Sequence, residues 1–220
     1  MRILRPTPRR IAVLLAATIG IGLGAGYAAT LSFGSWHLWA GSQTLTKGTC
    51  TLGASATTDT YVNQASPNSS SGSSSASIVV RQSTASSDEW GFIRFDLSSC
   101  NIPTTGGADS ATLTLYVSGA PASSRSIAVT PVLTTWSNAL TWNTAQPLSY
   151  GSTTTTLTTG TTTGAKTATV TVDVDNLIKS STANFGWRLV DGGGTNATTT
   201  FVSSSGTSSQ RPQLVINYEK

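Results

Sequence analysis

The sequence predicts an all-β fold, a single jelly-roll β-sandwich of about nine short antiparallel strands. Three observations support this prediction. The composition is rich in Ser, Thr, Gly and Val, apolar and polar residues alternate along the chain, and turn-forming residues separate the alternating stretches. The length of 220 residues is typical of one such domain, and a hydrophobic fraction of 38% is sufficient for one core.

The chain opens with a basic segment followed by a hydrophobic one. "MRILRPTPRR" contains four arginines, and no charged residue occurs from Ile11 to Ala29. This pattern predicts a secretory signal peptide at residues 1–29. An uncleaved anchor helix is the alternative, because the apolar stretch extends to Phe33 and is then long enough to span a bilayer. On either interpretation we expect the remainder to be extracellular, secreted or attached to the cell surface, with membrane contact only through this segment.

Two further regions follow: a linker or entry segment at residues 30–53 and the predicted sandwich domain at 54–220. Without the four N-terminal arginines, nine Lys and Arg residues balance nine Asp and Glu residues. The neutral domain therefore lacks the basic surface that nucleic-acid binding requires.

Alternating residues mark the strands. The strongest stretches are Glu89–Leu97 and Ser110–Ala120. In the second, one face carries Ala111, Leu113, Leu115 and Val117, and we expect this face to point inward. Shorter predicted strands, in chain order, are Thr57–Val62, Ile78–Gln82, Ser126–Leu133, Thr167–Val174, "FGWRLV", "TTTFVSS" and "QLVINY".

Two stretches are less regular. Thr153–Lys166 is low in complexity and fits either a pair of strands with a turn or a solvated loop. Asp175–Ser181 fits one helical turn with Asp175 as its cap.

The chain contains two cysteines, Cys50 and Cys100. In an exported chain this number predicts one disulfide, and two buried free thiols are the alternative. Their spacing supports neither a redox motif nor a zinc site.

Catalytic patterns are not evident. The single histidine, His37, lies in the linker region, where no partner residues suggest a Ser-His-Asp arrangement. The few carboxylates are expected to cap turns or pair with arginines, and paired carboxylates of a glycosidase are the less favoured alternative. A structural Ca²⁺ held by Asp59, Asp96 and Asp173 at strand ends is a further prediction.

Several stretches in order resemble a known family. They are "DTYVNQASPNSSSGSSSASIVVR", "GFIRFDLSS", "ADSATLTLYVSGA", "VTPVLTTWSNALTWNTAQP", "TVDVDNLI" and "FVSSSGTSSQRPQLVINY". Together they are similar to the DNRLRE-type domain of secreted bacterial and archaeal proteins, from about Thr57 to Tyr218. The resemblance implies a jelly-roll sandwich, and for some members a carbohydrate-binding role with acidic polysaccharide such as alginate as one ligand. Other members belong to cell-surface proteins with no known ligand.

Aromatic residues provide candidate ligand contacts. We expect Trp136 and Trp142 to pack in a core or seam, with a sugar-stacking platform as the alternative. Trp90 opens its strand beside two acidic residues and is expected to be partly exposed. Tyr61 and Tyr116 occupy outward or boundary positions, where they could stack on sugar rings.

Three strand arginines complete the predicted site. Arg81, Arg94 and Arg188 could bind the carboxylates of a polyuronate through bidentate hydrogen bonds. Salt bridges to Asp96 and Asp173 are the equally weighted alternative.

The sequence therefore predicts an exported, non-catalytic module that binds a polysaccharide or cell-wall glycan. A structural or adhesive surface protein with no soluble ligand is the competing prediction. A polysaccharide-degrading enzyme with an unrecognised site is a weaker one.

Overall fold

The computed structural model describes residues 31–33, 36–38, 46–180, 183–193 and 196–219. The chain divides into two compact units, Met1–Thr44 and Leu45–Lys220. In the first unit, β1 (Leu31–Phe33) pairs antiparallel with β2 (Trp36–Leu38). The predicted signal or anchor at residues 1–29 lies outside the described residues. Within the described part of the chain, no helix has the length and apolar character needed to cross a membrane.

The second unit contains the main sheet. Its strands are β3 (Lys47–Leu52), β4 (Thr57–Asn63), β5 (Ser77–Gln82), β6 (Glu89–Phe95), β7 (Gly107–Gly119), β8 (Ser126–Pro131), β9 (Thr155–Thr158), β10 (Gly164–Thr169), β11 (Trp187–Asp191), β12 (Ala197–Val202) and β13 (Gln213–Glu219). The helices are α1 (Trp142–Ala145) and α2 (Thr171–Ser180), and 3₁₀ turns occur at Ala54–Ala56, Ser98–Cys100 and Ser208–Gln210.

These strands form one antiparallel sheet of eleven strands that is strongly curled, like half of a barrel. The order is β3-β13-β7-β12-β5-β6-β11-β8-β9, with β10 added to β7 and β4 added to β6. Right-handed twist between neighbouring strands makes such a long sheet curl on itself. The all-β prediction is confirmed. The predicted sandwich, however, is one continuous sheet with more strands than the sequence indicated.

The inner face of the curled sheet encloses the main core. On β7, Ala111, Leu113, Leu115 and Val117 are all fully buried, as their alternation predicts. The inward residues of the other strands include Ile93 and Phe95 of β6. Burial of one such side chain stabilises the fold by about 1.5–3 kcal/mol, so this face fixes the strand registers.

Helix α2 replaces the end of a predicted strand. The prediction placed Thr167–Val174 in one strand, but β10 ends at Thr169 and the helix begins at Thr171. Val170, Val174 and Ile178 are spaced at four-residue intervals and all lie in the core, which is helical rather than strand periodicity. The helix is also longer than the single turn predicted from Asp175.

The N-terminal strand of the sheet lies earlier than expected. The prediction assigned residues 30–53 to a linker or entry segment, and within that range β3 (Lys47–Leu52) pairs with β13 along its whole length. The predicted disulfide is confirmed: Cys50 of β3 is bonded to Cys100, with an S–S distance of 2.01 Å. The disulfide therefore joins the edge strand to the 3₁₀ turn that follows β6.

A second cluster lies on the outer face of β4 and β6 and is here called the outer cluster. Its buried members are Val62, Phe92, Val132, Trp136, Leu140, Trp142 and Ala145, and Trp90, Leu148, Tyr150 and Phe185 pack against it. Most of these residues belong to the segment between β8 and β9, which folds over the sheet. The prediction that Trp136 and Trp142 pack in a seam is confirmed, since their exposed fractions are 6% and 8%.

Candidate functional site

An arginine on the outer face of β11 lies against two aromatic rings. The guanidinium carbon of Arg188 is 3.7 Å from the ring centroid of Tyr150 and 4.7 Å from that of Trp90. Both distances are within the range of cation–π attraction. Its Nε is buried and donates to no acceptor among the described residues. Burial lowers the pKa of Arg188, and the nearby hydroxyl of Tyr150 opposes that change, so the side chain remains charged at any ordinary pH.

The segment over the sheet holds these rings in place. Thr141 caps helix α1 by a reciprocal capping box with Thr144, so the helix starts at Trp142. The ring of Trp142 packs at 4.4 Å, centroid to centroid, against Trp90. The hydroxyl of Tyr150 donates to the carbonyl of Ala145 at 2.6 Å. The site therefore depends on the fold of this segment and not on the strands alone.

A second arginine lies on the same face. Arg94 of β6 is 5.4 Å from the ring centroid of Trp136. Phe92, two residues before it, is the cross-strand partner of Arg188. Because side chains two residues apart on a strand share a face, Arg94 and Arg188 are diagonal neighbours, about 7–8 Å apart in general. Two of the three predicted strand arginines, Arg94 and Arg188, thus lie together with Trp90.

The salt bridges that were the alternative for these arginines do not form within the described part of the chain. Ion pairs there join Lys47 to Asp109, Arg125 to Asp191 and Lys179 to Asp175. Hydrogen bonds from Ser98 are the main cause of the lowered pKa of Asp96, and the positive charge of Arg94 lowers it further. Hence neither Arg94 nor Arg188 forms a close ion pair with a described carboxylate.

A buried ion pair shows the contrast with a structural arginine. Arg125 donates from Nε and Nη2 to the two carboxylate oxygens of Asp191, at 2.8 and 3.0 Å. Both side chains are almost completely buried, with exposed fractions of 7% and 0%. Breaking such a pair costs about 3–5 kcal/mol. Sequence analysis missed this pair, and no spacing or motif identifies it, because the residues come together only through the pairing of β8 and β11.

Arg81 and Tyr61 occupy other places. Glu89 is the cross-strand partner of Arg81. Burial raises the pKa of that carboxyl, and the positive charge of Arg81 partly opposes the change. Asn63 donates to Glu89 at 2.9 Å. Tyr61 packs against the inner core, so the structure does not place it with Trp90.

Tyr116 lies on the outer face of β7, away from the outer cluster. It lines a cavity of about 320 Å³ together with Arg211 and Gln213. The predicted ligand residues therefore fall into separate places: Trp90, Arg94 and Arg188 are together, while Tyr61, Tyr116 and Arg81 are elsewhere.

The predicted calcium ligands have separate partners. Asp59 accepts a hydrogen bond from the backbone of Ser204 at 2.7 Å. Asp96 is exposed and accepts from the backbone of Ser98. No group of three or more His, Cys, Asp or Glu side chains suited to a metal ion occurs among the residues that the structure describes.

The third predicted calcium ligand, Asp173, lines a cavity of about 520 Å³. Its Oδ2 accepts from the indole of Trp187 at 2.7 Å and from Thr154 at 2.8 Å. Leu133 and Val172, which line the same cavity, are exposed hydrophobic residues. An apolar cavity with a carboxylate at its wall repels anionic ligands, so it differs in character from the arginine face.

A curled antiparallel sheet that displays arginines and aromatic rings on its outer face has the features of a ligand-binding β-domain. Comparison with known families agrees with this class. The chain belongs to carbohydrate-binding module family 96, whose family model matches residues 51–218. The match agrees with the carbohydrate-binding character that the sequence resemblance implied, although the family it names is not called DNRLRE. A comparison with curated proteins finds none that matches this chain.

The matched range runs from β3 through β13. It therefore includes the curled sheet except residues 47–50 of β3 and Glu219 of β13, together with both helices and the segment that carries the outer cluster.

Proposed function

We propose that this chain is an exported, non-catalytic module that binds acidic polysaccharide through the outer face of β6 and β11. Arg188 and Arg94 bind carboxylates of the polymer, and Trp90 and Tyr150 hold Arg188 in place. The observation that carries the proposal is that Arg188 is half-buried against two rings without a close carboxylate partner in the described structure. Family membership supports the carbohydrate part.

The guanidinium of Arg188 has no close counter-charge among the described residues. A partly desolvated guanidinium has lost some of its hydration, and a close carboxylate restores favourable electrostatic energy. Inside the protein, the carboxylate of Asp191 supplies this electrostatic stabilisation to Arg125. For Arg188, the carboxylate of a bound uronate can supply the same stabilisation. A planar guanidinium held over aromatic rings keeps its N–H donors at its edge, the geometry that suits bidentate binding of a carboxylate.

The remaining predicted residues have lesser parts in this proposal. Trp90 contacts both Trp142 and Arg188, so we assign it to positioning Arg188 and to contact at the rim of the site. Arg81 and Tyr61 lie outside this face. Structural Ca²⁺ at Asp59, Asp96 or Asp173 remains a prediction, and binding measured with and without added Ca²⁺ tests it.

The proposal also includes export of the chain from the cytoplasm and a fold related to the jelly roll. A disulfide is stable in oxidising compartments, so the Cys50–Cys100 bond supports an extracytoplasmic location. A curled antiparallel sheet around one core is compatible with a jelly roll whose two halves are joined.

Affinity electrophoresis of the full chain through gels containing alginate, polygalacturonate, xylan or chitin tests the function. We expect retardation by the two polyuronates and little by the neutral polymers. Arg188→Gln should weaken polyuronate binding at least about tenfold, since it removes a charge-assisted hydrogen-bonded contact. Arg188→Lys should give an intermediate result, because the charge remains and the bidentate fork is lost.

The matched control is Lys47→Gln. It also removes one positive charge, but from a side chain that is 76% exposed at the edge of the sheet. Equal loss in both variants would indicate a general charge effect and not a site at Arg188. Absence of retardation by every polysaccharide would favour the structural or adhesive surface protein instead.

A further inference from the structure

Strand β7 changes its partner on one edge, and the change leaves a notch in the sheet. Pairing with β13 extends to Thr114, and pairing with β12 begins at Val117. The other edge of β7 is paired with β10 through the same region. Leu115 and Tyr116 therefore have no strand partner on this edge of β7 within the part of the chain that the structure describes. The cavity of about 320 Å³ lies here on the outer face.

The notch has the side chains of a saccharide site. Tyr116 projects from β7 opposite the small Ala165 of β10, so a large neighbour does not cover that side of the ring. Arg211, which directly follows the 3₁₀ turn Ser208–Gln210, and Gln213, the first residue of β13, also line the notch and add a guanidinium and an amide. One aromatic ring beside several hydrogen-bonding groups matches the apolar face and the hydroxyl groups of a sugar.

The charge of the notch is positive. None of the described residues that line it is Asp or Glu, and Arg211 is its one cationic side chain in that set. Arg211 is fixed by a hydrogen bond from Nε to the carbonyl of Gly206 at 2.9 Å. It forms no ion pair with a carboxylate in the described part of the chain. Its remaining donors are thus available to an anionic group of a ligand.

We propose that this notch is a second saccharide-binding site, which binds a uronate unit between Tyr116 and Arg211 and makes the module bivalent. The inference rests on the proposed function, because it assigns the same class of ligand to a second place. In the sheet order, β12 and β5 separate β7 from β6, so the notch and the Arg188 face are distinct outward surfaces. Two sites on one domain allow it to bridge two polymer chains or two stretches of one chain, with a gain in avidity.

Titration calorimetry of the full chain with a short oligouronate tests the inference. We expect two binding sites per chain in the wild type and one site in each of Arg188→Gln, Tyr116→Ala and Arg211→Gln. Combining Arg188→Gln with Arg211→Gln should abolish binding. Light scattering with long polyuronate should show cross-linking by the wild type and none by the single-site variants.

A second variant, which blocks the notch without removing Tyr116, keeps the test valid if Tyr116→Ala fails to fold. Ala165→Glu places a negative charge at an exposed position beside Tyr116 and should remove one site. Thr158→Glu adds the same charge at an exposed position of β9 and should leave both sites. One site per chain that is lost in Arg188→Gln and unaffected by Arg211→Gln and Ala165→Glu would overturn the second site and leave the proposed function intact. No oligouronate binding by the wild type would overturn the proposed function, and this inference with it.

Discussion

Asp59 is a buried carboxylate that accepts hydrogen bonds from Ser204. Burial raises its pKa above the usual value near 3.8, and hydrogen bonds from the backbone and the side chain of Ser204 oppose the change. A raised pKa means that the folded state binds the proton more tightly than the unfolded state. The contribution of Asp59 to the free energy of unfolding is therefore greatest at low pH, and it decreases as pH rises from about 3.8 through the raised value.

The variant Asp59→Asn tests this pH dependence of the free energy of unfolding. The stability of the wild type relative to the variant should increase as pH falls from neutral toward 4, measured by urea unfolding at several pH values. The matched control, Asp96→Asn, should show the opposite slope. Hydrogen bonds from Ser98 lower the pKa of Asp96, so its contribution is present above the usual pKa and is lost as pH falls. Equal slopes for the two variants would contradict both assignments.

Individual roles were only partly predictable from the sequence. The shared face of Trp90 and Arg94 follows from strand alternation, because it depends on spacing alone. The pairing of Arg125 with Asp191 and the contact of Arg188 with Tyr150 could not be predicted, since each joins residues from elements distant in sequence.

At the level of elements, the segment between β8 and β9 answers the question of the two neighbouring tryptophans. Trp136 donates its indole N–H to the carbonyl of Phe185 at 2.6 Å, and Trp142 packs on Trp90. The sequence suggested either one strand or a tight turn between them. The structure confirms the tight turn, which the Leu140 N–H closes by donating to the carbonyl of Ser137. Helix α1, and not a second strand, follows that turn.

Trp142→Ala should destabilise the domain by about 3 kcal/mol, since it removes a large buried ring and leaves a cavity. Thermal or urea unfolding measures the change. Leu133→Ala in the same segment is the control, and little effect is expected because Leu133 is 57% exposed. Unchanged stability with lost polysaccharide binding would show instead that Trp142 is a ligand platform.

Helix α2 was mispredicted because two periodicities coincide in "VTVDVDNLI". The alternation of valines suggests a strand, while the four-residue spacing of Val170, Val174 and Ile178 suits a helix. Packing decides between them. Thr171 accepts from the backbone of Ala111, and Asp175 accepts from that of Ala108, so the helix is anchored along β7.

For the molecule as a whole, the disulfide fixes an edge strand to the turn after β6. It closes a loop with a sequence separation of 50 residues, for which the chain-entropy model gives about 4 kcal/mol of stabilisation. The double variant Cys50→Ala, Cys100→Ala should lose about this much in urea unfolding. Wild type measured after reduction should match it. A loss of less than about 1 kcal/mol would show that β3 contributes little to cooperative unfolding.

The all-β fold class was predictable from the sequence, but the order of the strands and their union in one curled sheet were not. Composition and alternation gave an all-β domain with the correct inward residues on β7, because those depend on local pattern. Strand order, the continuity of the curled sheet and the early start of β3 depend on pairing between distant segments, such as β3 with β13. The low-complexity stretch contains β9 and β10, whose Thr-rich sequences carry little burial signal of their own.

We propose that arginines on the outer face of β6 and β11 recognise the carboxylates of an acidic polysaccharide. The most direct measurement compares the affinity of the full chain for polygalacturonate and for the same polymer after its carboxylates are reduced to alcohols. We expect the reduced polymer to bind at least about tenfold more weakly than the native polymer, and we expect this difference to be smaller in Arg188→Gln than in the wild type. Equal affinity for the two polymers would contradict the account.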